Sequence, residues 1–400
     1  MILKGLNTSI LDEEVQDYIN NNLTSDIPKL ILKGSPFGTI SVQELANQVI
    51  AKQKSKKKLP TWFNSSKVYY PNKLSIEQSS SEITAHHKSN IVSGNSLIDI
   101  TGGFGVDAYF FSKEFRDVVH CEMNTELSEI VAYNNKQFGV SNIETISGDG
   151  IDFLKNSTNR FDCIYVDPSR RHDLKGKVFL LRDCQPNVPE NLELLFERSN
   201  TILIKNSPIL DITNTIKELT FVKEVHIVAV DNDVKELLFL LEKGYQSSIS
   251  VHTVNFTKKQ IQEFSFQHAS SEKANYGEPA SYVYEPNAAI LKSGGFDEVA
   301  IQFQLDKLHQ HSHLYTSDEH IEGFPGRIFR ILETFPFDKK LKRKLTCNKA
   351  NITTRNFPKS VAQIRKELKL KDGGENYLFF STDMHNNLIV INCVKKVLKH

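Results

Sequence analysis

The chain has 400 residues, too many for one compact core, so we expect roughly two to four domains. Its composition, 39% hydrophobic and 24% charged, is typical of a globular protein, and a net charge of +1 excludes a polycation. Five scattered cysteines without a Cys-x-x-Cys pair exclude a zinc ribbon and a disulfide framework. Because no signal-peptide or membrane-spanning run is present, we expect a cytoplasmic protein with no membrane partner.

Residues 1–80 are predicted to form a helical region. Apolar residues recur at helical spacing at Leu11, Val15, Ile19 and Leu23. Ser41-Val-Gln-Glu44 has the pattern of a capping box that opens a helix. A basic run at 52–58 then precedes an aromatic stretch that we predict to be irregular, with Trp62, Phe63, Tyr69 and Tyr70. This pairing suits RNA phosphates and unstacked bases, and it equally suits a solvated helix end followed by core aromatics.

From residue 96 to about 241, strands and helices alternate, which predicts a parallel sheet covered by helices on both faces. Strands are predicted at 96–100, 117–122, 143–147, 161–167, 201–206 and 222–230. Helices are predicted at 104–114, 125–138, 189–198 and 211–219. A short turn at 231–233 before the apolar run 237–241 predicts an antiparallel hairpin at the edge of the sheet.

A glycine turn follows the first of these strands, in Ser96-Leu-Ile-Asp-Ile-Thr-Gly-Gly-Phe-Gly-Val-Asp107. Its glycines allow the backbone to approach a ligand closely, and the helix after them offers unpaired N–H groups at its N-terminus. The spacing Asp-x-x-x-Gly-x-Gly differs from the Gly-x-Gly-x-x-Gly of dinucleotide-binding folds. The turn therefore indicates a ligand site. The chemical class of the ligand is inferred from the residues at the ends of the other strands.

Acidic residues follow four of the predicted strands, at Asp99, Glu122, Asp149 and Asp167. Ligands of open α/β sheets lie at these carboxyl ends. Glu122 suits a ribose because a carboxylate accepts two hydroxyl hydrogens, Asp149 suits an adenine amine, and Asp99 suits an ammonium group. NAD would use only the turn and Glu122, whereas S-adenosylmethionine uses all four acids. The alternative is a purely structural role, in which these acids end strands or cap helices.

At these residues the chain resembles the class I methyltransferases, over residues 82–241. The resemblance implies a Rossmann-like α/β fold with a seven-stranded sheet, and S-adenosyl-L-methionine as the cofactor. It also implies cofactor contacts at Glu82, Thr84, Asp99, Thr101, Gly102, Gly103, Phe104, Gly105, Glu122, Met123, Asp149, Gly150 and Asp167. Glu82 and Thr84 are included because they lie where that family has a helix closing over the methionine end.

The stretch Asp167-Pro168-Ser169-Arg170-Arg171 resembles the Asp/Asn-Pro-Pro-aromatic motif of enzymes that methylate exocyclic amines of bases. The resemblance implies that Asp167 and a main-chain carbonyl accept the hydrogens of the amine, whose lone pair then points at the methyl sulfonium. It implies a catalytic set of Asp167, Pro168, Arg170 and Arg171. Arg170 replaces the family's aromatic residue, and an arginine plane can stack on a base or hold a phosphate. The alternative for the two arginines is a solvated pair or a salt bridge to Asp173.

Three other features bear on the predicted crevice. The Asp-Pro-x-Arg pattern also resembles the uracil-C5 methyltransferases, whose cysteine nucleophile would be Cys184; a buried, inert cysteine is the alternative. The fifth strand ends at Asn206 and Ser207, which line the acceptor pocket or merely form a turn. The histidines at 309, 311 and 313 would share a face in an extended strand, but no cysteine or acid completes a set of ligands, so we predict no metal.

The C-terminal part is rich in basic residues, among them Lys339, Lys340, Lys342, Arg343, Lys344, Lys349, Arg355, Lys359, Arg365, Lys366, Lys369 and Lys371. Clustered positive charge on a chain of neutral total indicates nucleic-acid binding. The segment NITTRNFPKSVAQIRKELKLKDGG at 351–374 resembles the THUMP-like domain attached to a group of bacterial class I methyltransferases. In that group a small ferredoxin-like unit precedes it, and THUMP domains bind RNA, so the resemblance implies an RNA partner.

The sequence therefore predicts a helical region at 1–80, a class I methyltransferase domain at 81–250, a ferredoxin-like unit at 281–325 and a THUMP-like domain at 326–400. A polar stretch at 255–280 is expected to be a linker. The predicted function is S-adenosylmethionine-dependent methylation of a base nitrogen in tRNA or rRNA. The alternatives are an RNA-binding protein that binds the cofactor without turnover, and a methyltransferase acting on a small molecule or protein.

Overall fold

The computed structural model describes residues 6–170 and 180–395, except for the side chain of Arg170. The chain divides into two compact units. Unit 1 comprises Met1–Lys223 and Leu238–Gln246, and unit 2 comprises Glu224–Leu237 and Ser247–His400. Among the described residues, no helix is both long enough and apolar enough to span a membrane.

The N-terminal part of unit 1 is helical, as predicted. Its elements are a 3-10 helix at Thr8–Leu11 and helices α1 (Glu13–Asn21), α2 (Ile27–Lys33), α3 (Val42–Lys58), α4 (Pro60–Asn64), α5 (Lys73–Gln78) and α6 (Glu82–Ser89). The predicted capping box is present at the start of α3, where the Ser41 hydroxyl accepts from the Glu44 N–H and the Glu44 carboxylate accepts from the Ser41 N–H.

The expectation of an irregular aromatic stretch is wrong for Trp62 and Phe63, which lie in α4. Trp62 is 1% exposed, and Tyr69, Tyr70 and Lys52 are also buried. The rings of Trp62, Tyr69 and Tyr70 therefore belong to a hydrophobic core that also contains later residues such as Phe110 and Ile130. Of the two interpretations of this stretch, the structure favours core aromatics over an RNA-binding surface.

Strands and helices then alternate along the chain. They are β1 (Ser96–Asp99), α7 (Val106–Glu114), β2 (Asp117–Glu122), α8 (Thr125–Gln137), β3 (Ile143–Ser147), α9 (Gly150–Asn156), β4 (Phe161–Val166), β5 (Ser169–Arg170), a 3-10 helix (Leu181–Asp183), β6 (Cys184–Gln185), α10 (Val188–Arg198), β7 (Ser199–Asn206), α11 (Ile212–Glu218), β8 (Val222–Val230) and β9 (Asp233–Glu242). Within unit 1, five parallel strands lie in the order β7-β4-β1-β2-β3. The predicted Rossmann-like α/β architecture is confirmed.

This sheet places the predicted acids together. Strand β1 is buried between its neighbours, with Asp99 in register with His120 of β2 and Tyr165 of β4. Apolar runs such as Phe161–Val166 fit a position buried on both faces. Because the strands are parallel, the turns after β1, β2, β3 and β4 all lie at one edge of the sheet.

The later elements all belong to unit 2. They are β10 (Ser250–Phe256), β11 (Ile261–Gln267), β12 (Tyr282–Pro286), α12 (Ala288–Ser293), α13 (Phe296–Gln302), β13 (Asp306–Lys307), β14 (Tyr315–Ser317), β15 (Gly326–Pro336), α14 (Leu341–Lys344), β16 (Asn351–Thr354), α15 (Val361–Leu368), β17 (Asn376–Thr382) and β18 (Leu388–Lys395). Strands β12–β18 form one sheet in the order β13-β14-β12-β15-β18-β17-β16. The long strand β15 pairs with both β12 and β18, so this sheet continues across residue 326.

Two expectations about the chain after residue 230 are wrong. The turn is present, with positive φ at Asp231 and Asn232 as a tight hairpin turn requires, but β8 is not an edge strand. Strand β10 pairs in parallel with it over Ser250–Phe256. The polar stretch is not a plain linker either, because β11 pairs antiparallel with β10. Only Phe264 of β11 is buried, which explains why the strand looks polar in the sequence.

Candidate functional site

The turn after β1 is fixed by a chain of hydrogen bonds. Oδ1 of Asp99 accepts from the backbone N–H of Thr101 at 2.9 Å and from its hydroxyl at 3.2 Å. The Thr101 hydroxyl oxygen in turn accepts from the backbone N–H of Asp167 at 2.7 Å. Asp99 is 1% exposed. The end of β1 is thus tied directly to the end of β4.

Asp99 is a carboxyl group in an environment that disfavours its charge. Burial raises the pKa of Asp99 well above its usual range, and the carboxylates of Asp107 and Asp167 act in the same direction. The bonds from Thr101 oppose this effect but do not outweigh it. A cationic ligand near Asp99 would stabilise its charged form.

The three glycines of the turn have different surroundings. A Cβ on Gly102 would lie 2.5 Å from Cε1 of the His120 ring, and one on Gly105 would lie 2.7 Å from Cγ1 of Val131. Gly103 has a φ of +57°, and the atom nearest to a Cβ placed on it would be the Thr101 carbonyl oxygen, 3.9 Å away. Gly102 and Gly105 therefore allow close packing against the protein, whereas Gly103 leaves open space that a ligand could occupy.

Glu122, at the end of β2, binds the glycine turn. Its Oε2 accepts from the Gly103 N–H at 2.8 Å, and its Oε1 accepts from the Asn124 N–H at 2.7 Å. Each carboxylate oxygen keeps a further lone pair for a hydroxyl donor. The next residue, Met123, is 62% exposed and presents an apolar side chain to solvent beside this carboxylate.

Asp149 and Gly150 lie at the end of β3 and the start of α9. Oδ1 of Asp149 caps this helix by accepting from the N–H groups of Ile151 at 2.7 Å and Asp152 at 3.1 Å. A Cβ on Gly150 would lie 2.5 Å from Cβ of Ile100, so α9 begins in close contact with the end of β1. The capping interpretation of Asp149 is thus realised with one oxygen, and Oδ2 accepts no hydrogen bond from a described residue.

Asp167 follows β4 and forms an ion pair with Lys205 of β7. The pairing of Val166 with Ile204 in these parallel strands places the next residues, Asp167 and Lys205, side by side. Lys205 stands in the sequence one residue before the predicted Asn206, and its role was missed because a single strand does not reveal its register with another. Asp167 has a side chain 33% exposed, so it lies at the surface of the crevice.

The other predicted acceptor-side residues are only partly described. Pro168 is buried, whereas the side chain of Arg170 and all of Arg171 and Asp173 lie outside the described residues. The backbone of Arg170 pairs with Cys184 in a two-stranded antiparallel ladder. Cys184 is 5% exposed, as the alternative of a buried small hydrophobe expects.

Asn206, the last residue of β7, is 1% exposed. Neither its amide oxygen nor its amide nitrogen has a hydrogen-bond partner in the described part of the protein. An amide that is buried without partners is costly, so a polar atom of a ligand would stabilise it by forming a hydrogen bond. The prediction that Asn206 lines the acceptor pocket stays a prediction.

A buried ion pair that the sequence analysis missed lies behind the glycine turn. Nζ of Lys88, on α6, is 3.2 Å from Oδ1 of Asp107, on α7. Oδ2 of Asp107 accepts from the hydroxyls of Ser80 at 2.7 Å and Tyr165 at 2.9 Å. Lys88 is fully buried, and its charge, with that of Lys205, keeps the pKa of Asp107 below its usual value although burial opposes this. The sequence showed only one charged residue in each of two helices, which does not reveal that the two side chains meet.

The remaining predicted cofactor residues contact the N-terminal helices. The carboxylate of Glu82 accepts from the Thr61 N–H at 2.6 Å and from the Thr61 hydroxyl at 2.8 Å. Thr84 is 2% exposed, and its hydroxyl donates to the Ser81 carbonyl at 3.2 Å. Phe104 packs in the core, with its ring 6.0 Å from that of Trp62. Whether these three residues contact a cofactor stays a prediction.

The histidines at 309, 311 and 313 lie in turns and not in the extended strand considered in the sequence analysis. The rings of His309 and His311 are 5.6 Å apart. His309 lies 3.1 Å from the amide oxygen of Asn386, and its Nδ1 accepts from the backbone N–H of His311 at 3.0 Å. The ring of His313 stacks on Phe296 at 3.6 Å.

A basic surface in unit 2 surrounds α14. Its side chains are exposed and form no ion pair with a described residue: Lys339, Lys340, Lys342, Arg343 and Lys344. We call these five residues the α14 basic surface. Three of the other predicted cations are in ion pairs, Lys359 with Glu367, Arg355 with Glu285 and Arg365 with Asp372.

Comparison with known proteins gives matches along most of the chain. Residues 282–325 match a ferredoxin-like domain family and residues 326–395 match a family described as THUMP domain-like. The crystal structure of a candidate methyltransferase from Porphyromonas gingivalis W83 is 30% identical to the chain, with a TM-score of 0.88. The match covers 97% of this chain and 98% of that one. No curated protein matches the chain.

Two other solved structures share only part of the fold. An O-methyltransferase from Bacillus cereus, in complex with S-adenosylhomocysteine (SAH), is 13% identical, covers 41% of this chain and 83% of its own, and has a TM-score of 0.33. An rRNA methylase from Streptococcus thermophilus is 14% identical, covers 42% and 99%, and has a TM-score of 0.30. These similarities are too low to bear on the function of the chain.

Proposed function

Because this chain belongs to the same family of S-adenosylmethionine-dependent class I methyltransferases as the Porphyromonas gingivalis protein, we propose that it methylates a base nitrogen in RNA, in tRNA or rRNA. One observation carries the proposal. The turn after β1 is hydrogen-bonded to the ends of both β2 and β4, through Gly103 to Glu122 and through Thr101 to Asp167. Four acids predicted from separate parts of the sequence thereby line one edge of one sheet.

The residues at this edge fit S-adenosylmethionine. Glu122 keeps lone pairs for the two ribose hydroxyls, and the exposed side chain of Met123 offers an apolar surface for the adenine ring. Oδ2 of Asp149 is available for the adenine amine. The open face of Gly103 leaves room beside the turn, and Asp99 is a carboxyl group that a nearby ammonium would hold in its charged form. When bound, this cofactor supplies a methyl group on a positively charged sulfur.

Asp167 is the proposed acceptor-side residue. An amine of a base would donate its hydrogens to the Asp167 carboxylate, which orients the nitrogen lone pair toward the methyl group. Lys205 forms an ion pair with that carboxylate from the neighbouring strand β7. Pro168, Arg170, Arg171 and the unpartnered amide of Asn206 are proposed to complete this side of the site.

The α14 basic surface is the proposed RNA contact. Five exposed cations without carboxylate partners suit a phosphate backbone, because binding releases the counterions that surround RNA. The match of this region to a THUMP domain-like family supports the proposal. We further propose the predicted four-part division at 1–80, 81–250, 281–325 and 326–400, and action in the cytoplasm, where these RNA acceptors are found.

The experiment has two arms, one for the cofactor and one for the acceptor. Calorimetric titration with SAH tests the cofactor site in the wild type, Glu122→Gln and a matched control, Asp152→Asn, which changes an exposed acid of α9. Transfer of radiolabelled methyl from S-adenosylmethionine is then measured into total RNA and total protein from cells that lack the gene. RNase treatment of the labelled fraction identifies RNA as the acceptor.

The proposal predicts SAH binding that weakens in Glu122→Gln but not in Asp152→Asn, with RNase-sensitive label. Label in protein or a small molecule would overturn the RNA acceptor while leaving the cofactor site intact. SAH binding without label in any pool would favour the alternative of a cofactor-binding protein without turnover. Unaltered SAH affinity in Glu122→Gln would overturn the cofactor site.

A further inference from the structure

Three metal-ligating side chains lie together in unit 2, outside the residues used above. Glu224 and His226 are alternate residues of β8, and His252 pairs with His226 in the adjacent parallel strand β10. Because side chains alternate across a strand, all three project from the same face of these two strands. Their ligand atoms all lie within 4.8 Å of one another.

The spacing of these atoms is close to that of a metal site. Oε2 of Glu224 is 3.0 Å from Nε2 of His226 and 3.9 Å from Nε2 of His252. Donors around a tetrahedral zinc ion, at bond lengths of about 2.0–2.1 Å, lie about 3.4 Å apart. The two imidazole rings are nearly parallel, with centroids 4.7 Å apart and an angle of 24° between their planes. Nearly parallel rings do not direct their lone pairs at a common point, so binding one ion through all three atoms requires rotation of these side chains.

A fourth side chain orients one of the ligands. The hydroxyl of Ser265, which pairs with His252 from β11, lies 2.8 Å from Nδ1 of that ring. If Ser265 accepts the Nδ1–H, the lone pair of the neutral ring lies on Nε2, the atom nearest Glu224. This is the arrangement by which the partners of metal-bound histidines fix the tautomer.

The cluster is accessible from one side. His226 is 8% exposed, whereas the side chains of Glu224 and His252 are 24% and 37% exposed. An ion could thus enter from solvent and keep a water molecule in its fourth position, as sites with three protein ligands do. The two imidazoles are donors of borderline softness, and together with one carboxylate they favour Zn²⁺ over Mg²⁺ or Ca²⁺, which prefer a shell of oxygen ligands.

We propose that Glu224, His226 and His252 form a binding site for a divalent transition-metal ion, Zn²⁺ in the first place, that joins strands β8 and β10. This differs from the expectation drawn from the sequence, which considered only the histidines at 309–313. The site could not be predicted from the sequence because His252 lies 26 positions after His226. Only the parallel pairing of β8 with β10 brings the two residues together. The site does not depend on the acceptor or cofactor proposed above.

The test uses the full-length protein without an affinity tag, stripped with EDTA and dialysed. ZnCl₂ is titrated by calorimetry, and CoCl₂ is added separately because tetrahedral Co²⁺ gives visible absorption. The variants are His226→Gln, His252→Gln and Ser265→Ala. His268→Gln is the matched control, because it removes a histidine of the same unit, just after β11, that lies outside the cluster.

We expect one Zn²⁺ site per chain that His252→Gln and His226→Gln abolish and His268→Gln leaves unchanged. Ser265→Ala is expected to weaken the affinity about tenfold, as loss of a partner of a ligating histidine does. Absence of a stoichiometric site in the wild type, or equal affinity in all variants, would overturn the proposal and leave Glu224 and His226 as a hydrogen-bonded pair. If His226→Gln does not fold, the more exposed His252→Gln decides.

Discussion

Replacing Lys88 with methionine provides a sharp test of the packing behind the glycine turn. Lys88 has a fully buried side chain 3.2 Å from Asp107. Lys88→Met therefore leaves a buried carboxylate with the hydroxyls of Ser80 and Tyr165 and the charge of Lys205. Breaking a buried pair from one side costs about 3–5 kcal/mol, a large fraction of a total stability of about 5–15 kcal/mol. In urea, at about 3 kcal/mol per M, the unfolding midpoint should fall by more than about 1 M.

The protein contains a natural reporter and a natural control for this measurement. Trp62 is the single tryptophan of the sequence and is buried in unit 1, so its fluorescence follows the unfolding of that unit. Lys155 lies at the same distance, 3.2 Å, from Asp152, but both side chains are more than half exposed. Lys155→Met should therefore cost at most about 1 kcal/mol. Equal midpoints for the two variants would refute the conclusion that burial gives the Lys88–Asp107 pair its importance.

Three further predictions concern the turn, the buried acid and the basic surface. The pKa of Asp99 is raised in the folded state, so its contribution to stability is present at acid pH and is lost as the pH rises through that pKa. The urea midpoint of Asp99→Asn should therefore increase relative to that of the wild type between pH 5 and pH 8. A constant difference between the two midpoints would contradict this. Gly102→Ala, whose Cβ would meet the buried His120 ring, should lower the urea midpoint more than Gly103→Ala does. Gly103→Ala places its Cβ in the space proposed for the cofactor, so it should bind SAH at least tenfold more weakly at a stability cost of only about 1 kcal/mol; calorimetry and urea unfolding distinguish the two variants. Charge reversal at Lys342, Arg343 and Lys344 should weaken RNA binding and reduce the slope of log affinity against log salt concentration by about 0.7 for each lost phosphate contact. Charge reversal at the exposed Lys258 and Lys259 should change neither the affinity nor this slope.

Much of the fold of unit 1 could be predicted because its signals are local. The apolar runs of β1 and β4, the glycine turn between β1 and α7 and the capping box of α3 each depend on a few neighbouring residues. Helix α9 was not predicted because it begins with a glycine, a poor helix former, in a segment that was interpreted as a turn at a ligand site. Strand β11 looked like a linker because a strand with one buried residue has almost no apolar pattern.

The site was predictable to the extent that its residues follow strands. Asp99, Glu122, Asp149 and Asp167 were found because parallel strands direct their carboxyl ends to one edge. The partners of these residues were not found, since they depend on the register between strands and on helix packing. Lys205 meets Asp167 only because Ile204 pairs with Val166, and Lys88 meets Asp107 only because α6 packs on α7.

The most direct test of the proposed function is methyl transfer to RNA by Asp167→Ala, measured under single-turnover conditions alongside SAH affinity. Alanine removes the oxygen atoms that would accept the hydrogens of the acceptor amine, and it removes the ion-pair partner of Lys205. We predict that transfer falls about a hundredfold, the usual cost of losing one positioned group at a reacting centre, while SAH affinity changes only a few-fold. Transfer at the wild-type rate would contradict the role of Asp167 and the acceptor chemistry proposed for this site.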